Sequence, residues 1–176
     1  MRHAPLTRVV LAGPESTGKT TLAADLAGHF HTVWVPEYLR DWVDAHGLPR
    51  SAADLVDVAR GQRALEVRLA RAAHRVLFCD TDARQTAMYS RLYFGEVSPE
   101  VARLAATSHA HLYLVLDADV PWIPDPQRDM AHRREEIRDR CLAELAAAGE
   151  PHLLVRGSWA ERLTLAVAAV ETLLER

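Results

Sequence analysis

"AGPESTGKTTL", residues 12–22, decides the fold. A glycine at 13 is followed by four residues and then Gly18-Lys19-Thr20, and Lys19 is the only lysine in a chain that otherwise uses arginine. An apolar run, "RVVLAG" (8–13), precedes the motif, and Leu22, Leu26 and Phe30 recur at helical spacing after it. Strand, glycine-rich turn and amphipathic helix together are the context a phosphate-cradling loop requires. The glycines let successive backbone N–H groups curl around a β-phosphate, and the helix N-terminus adds partial positive charge. Gly13, Glu15, Ser16, Thr17, Gly18, Lys19, Thr20 and Thr21 are therefore the expected ATP phosphate-binding set. Lys19 is placed to reach the β- and γ-phosphates as a compact charge, and Thr20 to ligate Mg²⁺. An arginine fork would not follow the same path through the loop, which accounts for the one lysine.

With 176 residues the chain is long enough for one domain and too short for two ordinary ones, so a single domain over 1–176 is expected. The apolar run near the N-terminus is too short for a signal-peptide core or a membrane span, which points to a soluble protein of the cytoplasm with no membrane partner. A formal net charge of −3 argues against a general nucleic-acid surface and suits a small anionic ligand better. Cys79 and Cys141 lie inside apolar patterns and are read as reduced packing residues. Nine histidines are scattered without metal-ligand spacing, so neither zinc nor a hydrolytic triad is assigned. Oligomeric state is not legible.

Five short apolar runs alternate with helical stretches, the signature of an α/β fold whose five-stranded parallel sheet carries helices on both faces. The strands are placed at 8–13, 32–37, 75–80, 112–117 and 152–157. Helices are expected after the loop, at 51–74 from a Ser51/Asp54 capping pair, at 98–108, at 131–148, and from Ser158 with Glu161 completing a capping box.

In open parallel sheets ligands sit beyond the carboxyl ends of the strands. Glu37, Asp80 with Asp82, and Asp117 with Asp119 fall at three such ends. "LFCDTD" resembles the second metal-binding signature of phosphate-loop proteins, so Asp80 is assigned to Mg²⁺ with Thr20. Glu37 is a candidate general base for an acceptor hydroxyl. Asp82 is placed with the catalytic and substrate-binding groups, the alternative being a cap for the next helix. Asp117 and Asp119 are read as structural. Tyr38, Arg40 and Trp42 accompany Glu37, a mix suited to a ribosyl compound carrying a flat ring, on which Tyr38, Trp42 or Tyr89 can stack. After strand four, "PDPQRDMAHRREEIRDR" reads as a lid over about 120–140, with Arg128, Arg133 and Arg134 as candidates for phosphate contacts.

"GPESTGKTTL", "PEYLRDW", "ARGQRALE", "FCDTDARQTAMY" and "PWIPDPQRD" resemble, in order and at similar spacing over roughly 8–175, the ribosylnicotinamide kinase domain of the NadR family. That resemblance implies a P-loop kinase fold and transfer of the ATP γ-phosphoryl to the 5′-hydroxyl of nicotinamide riboside, giving nicotinamide mononucleotide. The family's His-x-x-His nucleotidyltransferase element and helix-turn-helix do not precede the loop here, so kinase activity alone is expected. Two other readings stand beside it. One is a kinase for another nucleoside or small metabolite, and the other a nucleotide-dependent switch, of which a guanine-specific form lacks its Asn/Thr-Lys-x-Asp element.

Overall fold

The computed structural model describes residues 6–175. Its elements run β1 (Thr7–Ala12), α1 (Lys19–His29), β2 (Trp34–Val35), α2 (Tyr38–His46), α3 (Asp54–Ala70), β3 (Val76–Asp80), α4 (Ala83–Phe94), α5 (Pro99–Ala106), β4 (Leu112–Leu116), α6 (Arg134–Ala147), β5 (His152–Val155) and α7 (Trp159–Leu174). A 3-10 turn, Ala131–Arg133, leads into α6. All strands pair in parallel, in the order β2-β3-β1-β4-β5. The sheet is the five-stranded, doubly covered one that the alternating pattern predicts.

Alternation along buried strands divides the core. Val9, Leu11, Phe78, Leu114 and Leu116 face α1 and α7, meeting Leu22, Leu26, Ala166 and Val170. Val10, Cys79, Tyr113 and Val115 face the other way, meeting Met88, Ile137 and Cys141. Each fully buried leucine or phenylalanine of this kind contributes roughly 1.5–3 kcal/mol. A third cluster stands off the sheet: Trp42, Leu55, Val58, Ala87 and Val101 pack α2, α3, α4 and α5 together. The space between this cluster and the carboxyl ends of the central strands is where the site lies.

Boundaries differ from the pattern reading where side chains take over from backbone pairing. The second strand, expected at 32–37, is only Trp34–Val35, because Pro36 lacks an N–H and Glu37 opens α2 as its N-cap. Residues 51–53 form a turn instead of helix, since the Asp54 carboxylate gathers the N–H groups of Arg50 (2.8 Å) and Ser51 (3.0 Å). Ser98 caps α5 on the Val101 N–H, and Ser158 with Glu161 forms the full capping box on α7. Helices α2 and α4 were absent from the sequence reading.

Candidate active site

The loop from Gly13 to Gly18 is shaped by residues that a Cβ would spoil. Gly13 has φ 115° and Gly18 φ 87°, the left-handed region that favours glycine. A Cβ at 13 would lie 2.8 Å from the Leu116 carbonyl, and one at 18 would lie 2.8 Å from Trp159 Cζ3. The Gly13 N–H donates to Gln85 Oε1 (3.2 Å), and Thr17 Oγ1 donates to the Pro14 carbonyl (2.9 Å). The N–H groups of Glu15, Ser16 and Gly18 find no protein acceptor among the described residues. Unpaired amides beside the N-terminus of α1 form an anion cradle.

Beneath the loop lies Arg162, whose side chain is 0% exposed. It donates to the carbonyls of Thr17 (2.9 Å), Gly157 (2.9 Å) and Asp117 (3.1 Å) and to the Asp119 carboxylate. One guanidinium on α7 thus fixes the loop to the ends of β4 and β5. Lys19 Nζ rests on the carbonyls of Gly13 (3.2 Å) and Pro14 (2.7 Å). Burial lowers its pKa, against the opposing charges of Asp80 and Glu37.

Asp80 ends β3 one strand from the loop. Thr20 Oγ1 donates to its Oδ2 at 2.5 Å, while Oδ1 is buried without a partner among the described residues. Burial and the charge of Glu37 push the carboxyl up to about 6, although Lys19, Thr20 and Arg128 pull it down. An orphaned carboxylate oxygen beside a hydroxyl fits a hard divalent cation that completes its shell with water and phosphate oxygens. Among the described residues no group of three or more His, Cys, Asp or Glu could hold a metal by itself.

A cavity of about 240 Å³ opens from Lys19 and Glu37 toward the off-sheet helices. Leu39, Val43, Leu55, Val58 and Phe94 make its apolar wall, and Gln62, Tyr89 and Tyr93 its polar one. Arg40 and Arg128 also line it and meet over Asp125, at 2.7 and 3.5 Å, with Arg40 also 3.6 Å from Glu37. The Tyr89 and Tyr93 rings stack with centroids 6.2 Å apart. Glu15, expected among the phosphate contacts, turns its side chain into this cavity instead. Its carboxylate accepts from the Met130 N–H (3.3 Å) and Tyr93 hydroxyl (3.4 Å), and burial raises its pKa.

Several expected site residues lie elsewhere. Asp82 is completely buried: it caps α4 through the N–H groups of Arg84 and Gln85, accepts from Ser108 and Tyr113 hydroxyls at 2.9 and 2.8 Å, and faces Arg8 at 3.5 Å. Thr81, at φ 71°, turns the chain between Asp80 and Asp82, so the two carboxylates diverge and Asp82 has no access to a substrate. Trp42 packs in the off-sheet cluster, stacked on His46, and Tyr38 lies against Gly61 of α3; neither lines the cavity. Arg133 is paired with Glu136 on the outer surface. Arg134 is spent on the carbonyls of Val120 and Ser16 and lies over the Trp122 ring, holding the 118–130 segment to the loop from behind. Ser16 Oγ binds the same segment through both the N–H and carbonyl of Ile123, and Thr21 is exposed on α1. Gln62, Gln85, Tyr93 and Arg162 went unrecognised in the sequence.

A strand–loop–helix phosphate cradle, with an acid at the end of the neighbouring strand and a parallel sheet, defines a P-loop nucleotide-binding protein of the kinase type. The chain belongs to the family described as "AAA domain", whose family model matches residues 8–162. Among curated proteins, the trifunctional NAD biosynthesis/regulator protein NadR of Escherichia coli (strain K12) is 31% identical over 126 residues, covering 69% of this chain and 31% of NadR. NadR of Salmonella typhimurium (strain LT2) matches with the same identity and coverage. The chain spans about a third of the length of these relatives (31%). Among solved structures, NadR in complex with NR superposes with a TM-score of 0.87 at 24% identity, over 97% of this chain and 52% of that one. NadR with NAD and AMP-PNP gives 0.84 at 23%, over 97% and 50%. Thymidylate kinase from Candida albicans gives 0.66 at 13%, over 95% and 92%. These superpositions establish the shared fold, and the NadR resemblance seen in the motifs is matched by both kinds of comparison.

Proposed function

We propose that the protein phosphorylates the 5′-hydroxyl of nicotinamide riboside with ATP, giving nicotinamide mononucleotide and ADP. The observation that carries this reading is that Lys19 of the phosphate loop and Glu37 line one and the same cavity, while the charges of both act on the Asp80 carboxylate that Thr20 holds. The likeness to NadR, whose crystal structures are described with NR and with AMP-PNP, supports the choice of acceptor and donor. The described chain acts as one catalytic unit in this reading.

The loop amides and the N-terminus of α1 hold the β-phosphate, and Lys19 leaves its carbonyl partners for the β- and γ-phosphates. Thr20 and Asp80 would hold Mg²⁺, which would supply charge neutralisation on the phosphate oxygens. The acceptor lies in the cavity with its ring among the apolar wall and Tyr89, and its hydroxymethyl group at Glu37. As the acceptor oxygen bonds to the γ-phosphorus, the bond to the β–γ bridging oxygen breaks and ADP takes the electron pair. The hydroxyl proton passes to Glu37. Arg128 and Arg40, on the same side of the cavity, offset charge on the transferring group. Measured ADP release should rise when nicotinamide riboside is added to protein, Mg²⁺ and ATP. Stimulation only by other nucleosides, or by nothing, would overturn the assignment of acceptor.

A further inference from the structure

Two glutamines on the cavity wall are held alike and end differently. Gln85 Oε1 accepts the Gly13 N–H, and its amide nitrogen donates to Cys141 Sγ at 3.2 Å. Gln62 Oε1 accepts the Tyr38 N–H at 2.8 Å, but its Nε2 is buried with no partner among the described residues. Because a backbone N–H can only donate, Oε1 must face Tyr38, and the amide NH₂ is left unpaired in the wall of the cavity that Gln62 lines. Gln62 is 2% exposed, so bulk water does not satisfy those hydrogens. The Tyr89 hydroxyl, on the same cavity, is likewise buried without a partner. A buried unmet donor costs about 1–3 kcal/mol, and two on one wall are tolerated where an occupant completes them.

We propose that Gln62 is the specificity-determining residue of the acceptor pocket: its amide NH₂, helped by the Tyr89 hydroxyl of the same cavity lining, reads a carbonyl oxygen on the substrate's ring, the carboxamide in nicotinamide riboside. This rests on the acceptor named above and deepens it. Burial holds the Tyr89 hydroxyl well above its ordinary pKa, so it stays a neutral donor and acceptor through the physiological range. The apolar wall of Leu39, Val43, Leu55 and Val58 recognises any flat ring of the right size, and only the polar pair distinguishes one with a carbonyl. A site built around unmet hydrogen-bonding groups rejects a ligand that lacks their complement far more strongly than an apolar pocket rejects a size mismatch.

Gln62→Glu is the discriminating variant, since its carboxylate keeps an acceptor for the Tyr38 N–H and replaces only the donor. Nicotinamide riboside is compared with the pyridinium riboside that lacks the carboxamide, by kcat/KM and by calorimetric binding in the presence of a nonhydrolysable ATP analogue. The wild type should favour the carboxamide compound by at least about 10²-fold. Gln62→Glu should bring the two within about tenfold, with the loss falling on nicotinamide riboside and the KM for ATP unchanged. Tyr89→Phe should lower the same preference, with the larger loss falling on nicotinamide riboside. Equal loss on both ribosides, or no preference in the wild type, would overturn the inference. Binding with the expected preference but without phosphate transfer would sink the kinase reading and leave Gln62 standing, while failure to bind nicotinamide riboside would sink both.

Discussion

Thr20 Oγ1 donates to Asp80 Oδ2 at 2.5 Å and leaves Oδ1 of the same carboxylate buried with nothing to bind. A phosphate-loop hydroxyl and a strand-end acid are thus already joined, with one acceptor position open between them.

Asp80→Asn should abolish turnover and also change stability in a pH-dependent way. Burial first, and then Glu37, raise the Asp80 carboxyl from 3.8 to about 6. In the folded protein the group therefore keeps its proton over a window where the unfolded chain has lost it. Its contribution to stability is most favourable below about pH 4 and declines as pH rises to about 6, where the charged form is buried at a cost. Nucleotide-free Asp80→Asn should accordingly be more stable to unfolding than wild type at pH 7, by an amount on the order of 1–3 kcal/mol, and the difference should shrink toward pH 4. Adding Mg·ATP should stabilise the wild type and not the variant; chelation with EDTA should remove the wild-type gain.

Lys19→Ala should fold with little change in unfolding temperature, because among the described residues Nζ hydrogen-bonds to two loop carbonyls alone. Its turnover should fall by about 10²–10³, the usual effect of losing one preorganised donor to a developing charge. A variant that keeps wild-type kcat would refute the role given to this lysine.

Glu37 and Asp82 separate cleanly. Glu37→Gln should cut kcat by about 10²–10⁴ with unchanged stability if Glu37 accepts the proton. Asp82→Ala removes a fully buried carboxylate from Arg8 and from the cap of α4. Its cost should be about 3–5 kcal/mol of stability, with near-normal activity per folded molecule. Urea unfolding and active-site titration of both variants would check this; a folded Asp82→Ala protein without activity would restore Asp82 to the site.

Arg162→Met should cost about 3–5 kcal/mol, since the carbonyls of Thr17, Gly157 and Asp117 and the Asp119 carboxylate lose their donor together. Because Thr17 belongs to the phosphate loop, the surviving folded protein should also show a raised KM for ATP while its KM for the acceptor stays put. Equal changes in both constants would mean that the anchor is general and not specific to the loop.

The sheet and the donor side were legible because their signals are local. The Gly13 to Thr20 spacing carries its own mechanism, and buried parallel strands read as continuous apolar runs. The second strand was overextended because the apolar run 33–35 leads directly into Pro36 and Glu37, where the backbone leaves the sheet for α2. Leu39, Trp42, Val43 and His46 carry helical spacing that would have exposed α2, and Asp82 with Gly95 brackets α4 as cap and stop. Asp82 was misplaced because the alternation of strand side chains sets it beside Asp80, and only the left-handed turn at Thr81 separates them. Gln62 and Arg162 gave no signal at all: their importance lies in which carbonyls and amides surround them, and apart from Gly157 those partners lie 24 to 145 residues away.

Trp159 lies across Gly18 with its indole N–H on Asp25 (3.2 Å), yet is 38% exposed. An indole in that position is sensitive to any change in the polarity and geometry of the loop it touches. Emission from this one of four tryptophans should therefore shift as nucleotide fills the loop. The protein carries its own optical gauge of donor occupancy, readable without a label and independent of whether any acceptor is present.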